Sequence, residues 1–277
     1  MKARKYGDAV RPDPYAWSAH PEALLGIALL AAGYVLALRS HRGPPWRLAA
    51  FALGTGLLLV AAVSPLDALT FHLLTAHLLQ NILLAEWAPL LLVLGLPPSL
   101  AASFTRFRPL RGLTHPLVAL PLWLTVYFLW HLPPLYDAAL RNPSTLLHLE
   151  HGTYLAAGCL LWWPVVHDRP WGLPDGLRAL YLFAAFALGS PLGLLLALLP
   201  DTVYGFYDGG AGLWGLSDLD DQRIAGVTMA SEEAVLFALA FAYVFARFLR
   251  TEERQDALAD ELAGERSAVL QQQRALL

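Results

Sequence analysis

Seven apolar runs of about membrane-spanning length, at residues 22–38, 46–63, 70–95, 115–131, 147–166, 177–199 and 224–249, leave this chain few folds to choose from. A helix needs about 20 mostly apolar residues to cross the hydrocarbon of a bilayer. The runs are continuous rather than alternating, so they read as helices, with the first and fourth near the short limit. The breaks between them carry turn chemistry: HRGPPW at 41–46, SPLD at 64–67, GLPP at 95–98, HLPP at 131–134 and RPWGLPDG at 169–176. Only 15% of the residues are charged and 57% are hydrophobic, against about 25% charged in soluble domains. The expected fold is all-α, a polytopic membrane protein built as a bundle of seven transmembrane helices. Residues 1–250 form the membrane domain, and 251–277 form a charged cytoplasmic tail with Leu and Ala at helical spacing.

Orientation follows from the basic residues. Loops after runs one, three and five hold Arg39, Arg42, Arg47, Arg106, Arg108, Arg111, Arg169 and Arg178, while the loops on the other side hold Arg141 and Arg223. Arg247, Arg250, Arg254, Arg266 and Arg274 add to the rich side; Lys2, Arg4, Lys5 and Arg11 oppose it. The balance places the N-terminus outside and the C-terminus inside. A net charge of -3, with basic residues in short clusters, excludes a nucleic-acid surface. Cys159 is the only cysteine, so any metal chemistry falls to His, Met and carboxylate, and Cys159 reads as a packing residue.

The run 70–95 is apolar yet carries His72, His77, Gln80, Asn81 and Glu86. Such groups are costly in lipid and face the bundle interior or a wet cavity. At about 100° per residue, His77, Gln80, Asn81, Leu84 and Ala88 share one stripe, with His72 and Glu86 nearer the opposite side. The alternating orientation brings further polar groups to the same outer face: His131 at the end of run four, His148, Glu150 and His151 at the start of run five, and Asp220, Asp221 and Gln222 ahead of run seven. His20 is expected there too, whereas His41, His115 and His167 belong to the inner loops. His148 and His151, three apart, share a helix face, and imidazole suits late first-row metals. Met229 lies on one stripe with Gln222, Gly226 and Glu233, and a thioether beside imidazoles favours Cu(I). Glu232 and Glu233 sit two to three turns into run seven, so they are protonated, paired or exposed to a cavity; the expected depths do not pair them with Glu86.

The stretches SPLDA (64–68), AHLLQN and APLLLVLG (within 76–95), LWHLPPLYDAAL (129–140), LLHLEHGTYLAAGCLLWWPVV (146–166), VYGFY (203–207) and DQRIAGVTM (221–229) resemble, in order, the CtaG family of cytochrome c oxidase assembly proteins. The resemblance implies a multi-pass protein of the bacterial plasma membrane that matures a haem-copper oxidase by handling copper for its CuB centre. The metal ligands it implies are His77, His131, His148, His151 and Met229. Around them His72, Gln80, Asn81, Asp221, Gln222 and Glu233 support or orient the imidazoles. The cargo is transient Cu(I), and the partners are a membrane-embedded oxidase subunit, a soluble copper donor on the outer side and the lipid bilayer. No enzymatic turnover is expected. The chain departs from the family pattern at Asn81, where a second imidazole is expected, and at GSPLG (189–193). Two other readings stay open: a haem protein ligated by two of these histidines, and a transporter whose proton or ion path is lined by Glu86, Glu232 and Glu233.

Overall fold

The computed structural model describes residues 11–209 and 212–275, with side chains to residue 266. It is 78% helix, with no strand among the described residues, as expected of an all-α chain. The helices are α1 (Pro21–Ala37), α2 (Pro45–Val63), α3 (Pro65–Leu69), α4 (Leu74–Gly95), α5 (Pro98–Phe104), α6 (Arg108–Leu113), α7 (Pro116–Trp130), α8 (Pro133–Arg141), α9 (His148–Val166), α10 (Asp175–Gly189), α11 (Pro191–Leu198) and α12 (Asp218–Ala275). Many of the Pro-containing breaks are helix starts. Proline opens α1, α2, α3, α5, α7, α8 and α11, where its missing N–H costs no helical bond and its fixed φ suits the first turn.

Four helices are long and apolar enough to cross a membrane, namely α2, α4, α10 with α11, and α12; α7 and α8 together make a fifth, bent by 72°. The seven expected runs therefore all appear as helix, but not all as clear spans. At 17 residues α1 is short. Helix α9 opens on His148, Glu150 and His151, which lower its hydropathy. Helix α7 stops at Trp130, because Pro133 and Pro134 cannot continue it and restart the chain as α8. Helix α12 runs unbroken through residue 250 into the charged tail, whose described side chains are exposed.

At the centre stands α4, packed by α2, α9 and α12. In the α4 apolar window 67% of residues are buried, against 22% in α2, so α4 is the core helix and α2 a peripheral one. Close approach is set by glycine. A Cβ on Gly158 of α9 would overlap the Ala85 carbonyl of α4, and one on Gly95 would overlap the Phe51 backbone of α2, the small-residue contact that lets membrane helices pack tightly. The outward surface is apolar, with Leu25, Leu29, Leu53, Leu180 and Leu239 exposed.

Two local features depart from a regular reading of 70–95. Residues Thr70–Leu73 form a turn after α3, so His72 lies outside the helix. Within α4, Leu83–Trp87 make a π-turn, an inserted residue of the kind often found at functional sites. It rotates Glu86, expected on the far side, into the interior, where it is 1% exposed.

Candidate functional site

The buried polar cluster lies where α4, α9 and α12 begin and α7 ends. Asp221, from the first turn of α12, caps α4: its carboxylate accepts from the backbone N–H of Leu74 at 2.6 Å and of Thr75 at 3.1 Å, and from the Thr75 hydroxyl at 2.7 Å. A carboxylate is favoured there by the unpaired N–H groups and the positive end of the helix. Gln222 accepts from Val203 N–H at 2.7 Å and donates to the carbonyls of Asp201 at 3.1 Å and Leu196 at 3.3 Å. Gln80 donates to the Ala61 carbonyl at 2.6 Å and to Asp67 at 3.2 Å. These three were expected to orient imidazoles. They instead hold backbone and helix ends, which places α4 and the loop after α11.

His77, in the first full turn of α4, is wholly buried, as is Glu150, with Nε2 3.5 Å from Glu150 Oε1. Asn81, one turn on, donates to the same Glu150 oxygen at 2.9 Å, so its N–H faces the carboxylate. The His77 ring lies 6.4 Å, centre to centre, from His151 and 4.8 Å from Tyr136. Tyr136 in turn lies 6.2 Å from His131. His131 Nδ1 lies 2.7 Å from the Tyr127 carbonyl; a carbonyl only accepts, so Nδ1 carries the proton and Nε2 keeps its lone pair. That Nε2 has no partner. Neither do Nδ1 of His77, Nε2 of His151 and Oε2 of Glu150, all of them buried. Buried polar atoms are nearly always satisfied, so this concentration of open polar atoms marks the cluster. Met229, 2% exposed, lines with His131, Asn81, Glu86, Tyr127 and Tyr154 a cavity of about 10 Å³, room for about one water.

The other expected residues lie elsewhere. His148 faces Glu22, 3.4 Å away, not His77. His72 Nε2 donates to the Pro12 carbonyl at 2.7 Å, apart from the cluster. Glu233 accepts from the Tyr127 hydroxyl at 2.5 Å, deeper in the bundle, and orients no imidazole. There it meets two other carboxyls that the sequence did not pair. Glu232 accepts from the Trp87 indole N–H, and its carboxyl lies close enough to Glu86 for the two to interact. Each of the three keeps one buried oxygen without a partner. The π-turn is what brings Glu86 round to this group.

Histidines of the opposite end are all engaged. His41 bonds Ser99 at 3.2 Å, His115 caps α7 by accepting from Leu117 N–H at 3.2 Å, and His167 bonds the Val93 carbonyl at 3.1 Å. Cys159 is partly buried and packs on the core, as expected. Sequence reasoning missed Tyr136, Glu22 and Asp67 as neighbours of the histidines. The only available signals were their places in the LPPLYD, HPE and SPLD segments at the same ends of their helices.

Comparison with known proteins gives a family and little more. The model of the family described as cytochrome c oxidase caa3 assembly factor (Caa3_CtaG) matches residues 29–251. Uncharacterized protein Mb0105 of Mycobacterium bovis and uncharacterized protein MT0111 of Mycobacterium tuberculosis are each 26% identical over 241 residues, covering 74% of this chain and 35% of the relative. The chain thus spans about a third of the length of these curated relatives. No solved structure matches it significantly.

Proposed function

The chain belongs to the cytochrome c oxidase caa3 assembly factor family, and from that premise we propose that it carries Cu(I) transiently at the outer face of a bacterial plasma membrane for insertion at the CuB centre of an oxidase subunit. Seven crossings with the N-terminus outside fit the arginine distribution. They also fit the way the helix ends divide between a histidine-rich pole and an arginine-rich one. One observation carries the copper reading: His131, with its open Nε2, lines one buried cavity with Met229, and His77 and His151, ring centres 6.4 Å apart, bury open nitrogens at the same helix ends. Imidazole and thioether are ligands that Cu(I) accepts. Asn81, its amide N–H committed to Glu150, leaves the shell one imidazole short of the related pattern. A short shell suits a carrier, which must release its cargo to a membrane-embedded subunit after receiving it from a soluble donor. Nothing in this role requires catalytic turnover.

The test is a titration of the purified full chain with Cu(I) against a competing chelator. The His131→Ala, His151→Ala double variant is expected to bind about 100-fold more weakly, in line with the loss of metal-site groups. Equal affinity would remove these residues as ligands.

The convergence of Glu86, Glu232 and Glu233 supports a second reading, a proton path coupled to metal movement. Glu233→Gln abolishing metal flux into sealed vesicles would favour it. The cavity beside His131, about 10 Å³, is too small for a haem, since cofactor sites run from about 300 Å³ upward, so the haem reading is confined to the groove of about 470 Å³ beside His148 and His151.

A further inference from the structure

At the same pole as the buried cluster, but on the surface, a second group of side chains converges. We propose that His20, Glu22 and His148 form a binding site for a divalent late first-row transition-metal ion. Their ligand atoms lie within 4.8 Å of one another, and this is the only set of three or more His, Cys, Asp or Glu side chains so arranged among the described residues. His20 Nδ1 is 3.7 Å and His148 Nε2 3.4 Å from Glu22 Oε1. Ligands 2.0–2.1 Å from a tetrahedral ion stand about 3.3–3.4 Å apart, so the three atoms are close to a coordination polyhedron's spacing before any ion arrives.

The orientation of His20 supports the same conclusion. Its Nε2 lies 3.0 Å from Asp67 Oδ2, and Asp67 is buried at the start of α3. A carboxylate can only accept, so Nε2 carries the proton and the lone pair of neutral His20 sits on Nδ1, aimed at Glu22. Metal-binding imidazoles are held by a carboxylate on the far nitrogen in just this way. Two rings and one carboxylate with open positions suit Cu(II) or Zn(II) better than Cu(I), which prefers softer ligands. The helix N-termini of α1 and α9 repel a cation, and the Glu22 and Asp67 carboxylates oppose that effect. All three ligands are solvent-accessible, at 35%, 56% and 32% for the side chains of His20, Glu22 and His148.

The site stands on its own geometry, whatever the chain carries. Its place suggests a use that does rest on the copper reading. A groove of about 470 Å³ between α1, α2 and α9 is lined by Glu22 and His148 and also by His151, a member of the buried cluster. Metal captured at the surface has this route inward.

The experiment uses the full chain in detergent, titrated with Zn(II) by calorimetry and with Cu(II) by electron paramagnetic resonance. Wild type is expected to bind one divalent ion whose Cu(II) spectrum shows coupling to two imidazole nitrogens. His148→Ala is expected to lose one nitrogen from the spectrum and about 100-fold in affinity. Glu22→Gln, isosteric and exposed, keeps the fold and is expected to weaken binding at least tenfold. Asp67→Asn leaves both nitrogens but is expected to weaken binding about tenfold, the cost of an unheld imidazole. The His131→Ala, His151→Ala variant should keep the divalent site intact, so loss of the buried copper cluster and loss of this site are told apart. No divalent binding by wild type, or wild-type affinity and nitrogen count in both His148→Ala and Glu22→Gln, would overturn the proposal and leave the group as two histidines beside a carboxylate.

Discussion

The two poles of the bundle use histidine in opposite ways. At the arginine-rich pole His41, His115 and His167 each have a hydrogen-bond partner, whereas at the other pole His77, His131 and His151 bury nitrogens that nothing satisfies. Both sets sit near helix ends, so position alone does not separate them. Leaving a buried donor or acceptor open costs about 1–3 kcal/mol each. A fold that tolerates several in one place is stabilised elsewhere, and here the surrounding helix ends are tied down by Asp221, Gln222 and Gln80. The histidines of the arginine-rich pole are each engaged, and His77, His131 and His151 of the other pole keep open nitrogens.

That contrast can be broken or sharpened by measurement. The largest effect is expected at the saturated pole. Burial pushes the His167 imidazole down to about 4, although its bond to the Val93 carbonyl partly opposes this. In the unfolded chain it titrates near 6.5, so between pH 6.5 and 4 the unfolded state binds more protons and stability falls as the pH is lowered. At about 1.4 kcal/mol per unit, up to about 3 kcal/mol is lost on going from pH 7 to 4. Thermal unfolding of His167→Gln in detergent should show a correspondingly flatter pH profile; the wild-type profile unchanged would deny its burial as a neutral ring.

Next comes Asp221→Ala, which strips the cap from α4. It is expected to cost about 2 kcal/mol in unfolding free energy with Cu(I) affinity of the folded fraction unchanged. A selective loss of copper binding without destabilisation would return Asp221 to the ligand surroundings. Smallest is Asn81→His, which puts an imidazole at the position where the family resemblance leads one to expect it. It should raise Cu(I) affinity about tenfold in chelator competition, and a fall would mean that the amide bond to Glu150 matters more than another ligand.

How far the sequence reached can be seen residue by residue. Hydropathy and the Pro-marked breaks located α1, α2, α7 and α9 to within one residue at each end, whereas the run 177–199 is broken at Ser190 into α10 and α11 and the run 224–249 lies inside a much longer α12; alternation of helix direction brought His77, His131, His148 and His151 to one pole. Angular stripes were less dependable. A uniform 100° per residue put Glu86 on the wrong side, because the π-turn at Leu83–Trp87 has no signature in apolar periodicity. It also kept His72 in a helix that starts only at Leu74, since the SPLD segment makes a separate short helix with Ser64 as its cap. Asp221 and Gln222 looked like partners for imidazoles because polar groups at one depth look alike in sequence; which backbone group each serves depends on the neighbouring helix end. His148 and His151 share a face, yet the start of α1 draws His148 outward to Glu22 while His151 packs inward, a division that only the position of α1 decides.

The most direct measurement is X-ray absorption at the copper edge of the full chain loaded with one equivalent of Cu(I). Two or three imidazole nitrogens, joined by a sulfur scatterer that disappears in Met229→Leu, is the expected result. A shell of oxygen alone, or one that is unaltered in the His131→Ala, His151→Ala variant, would contradict the claim that this pole holds the metal.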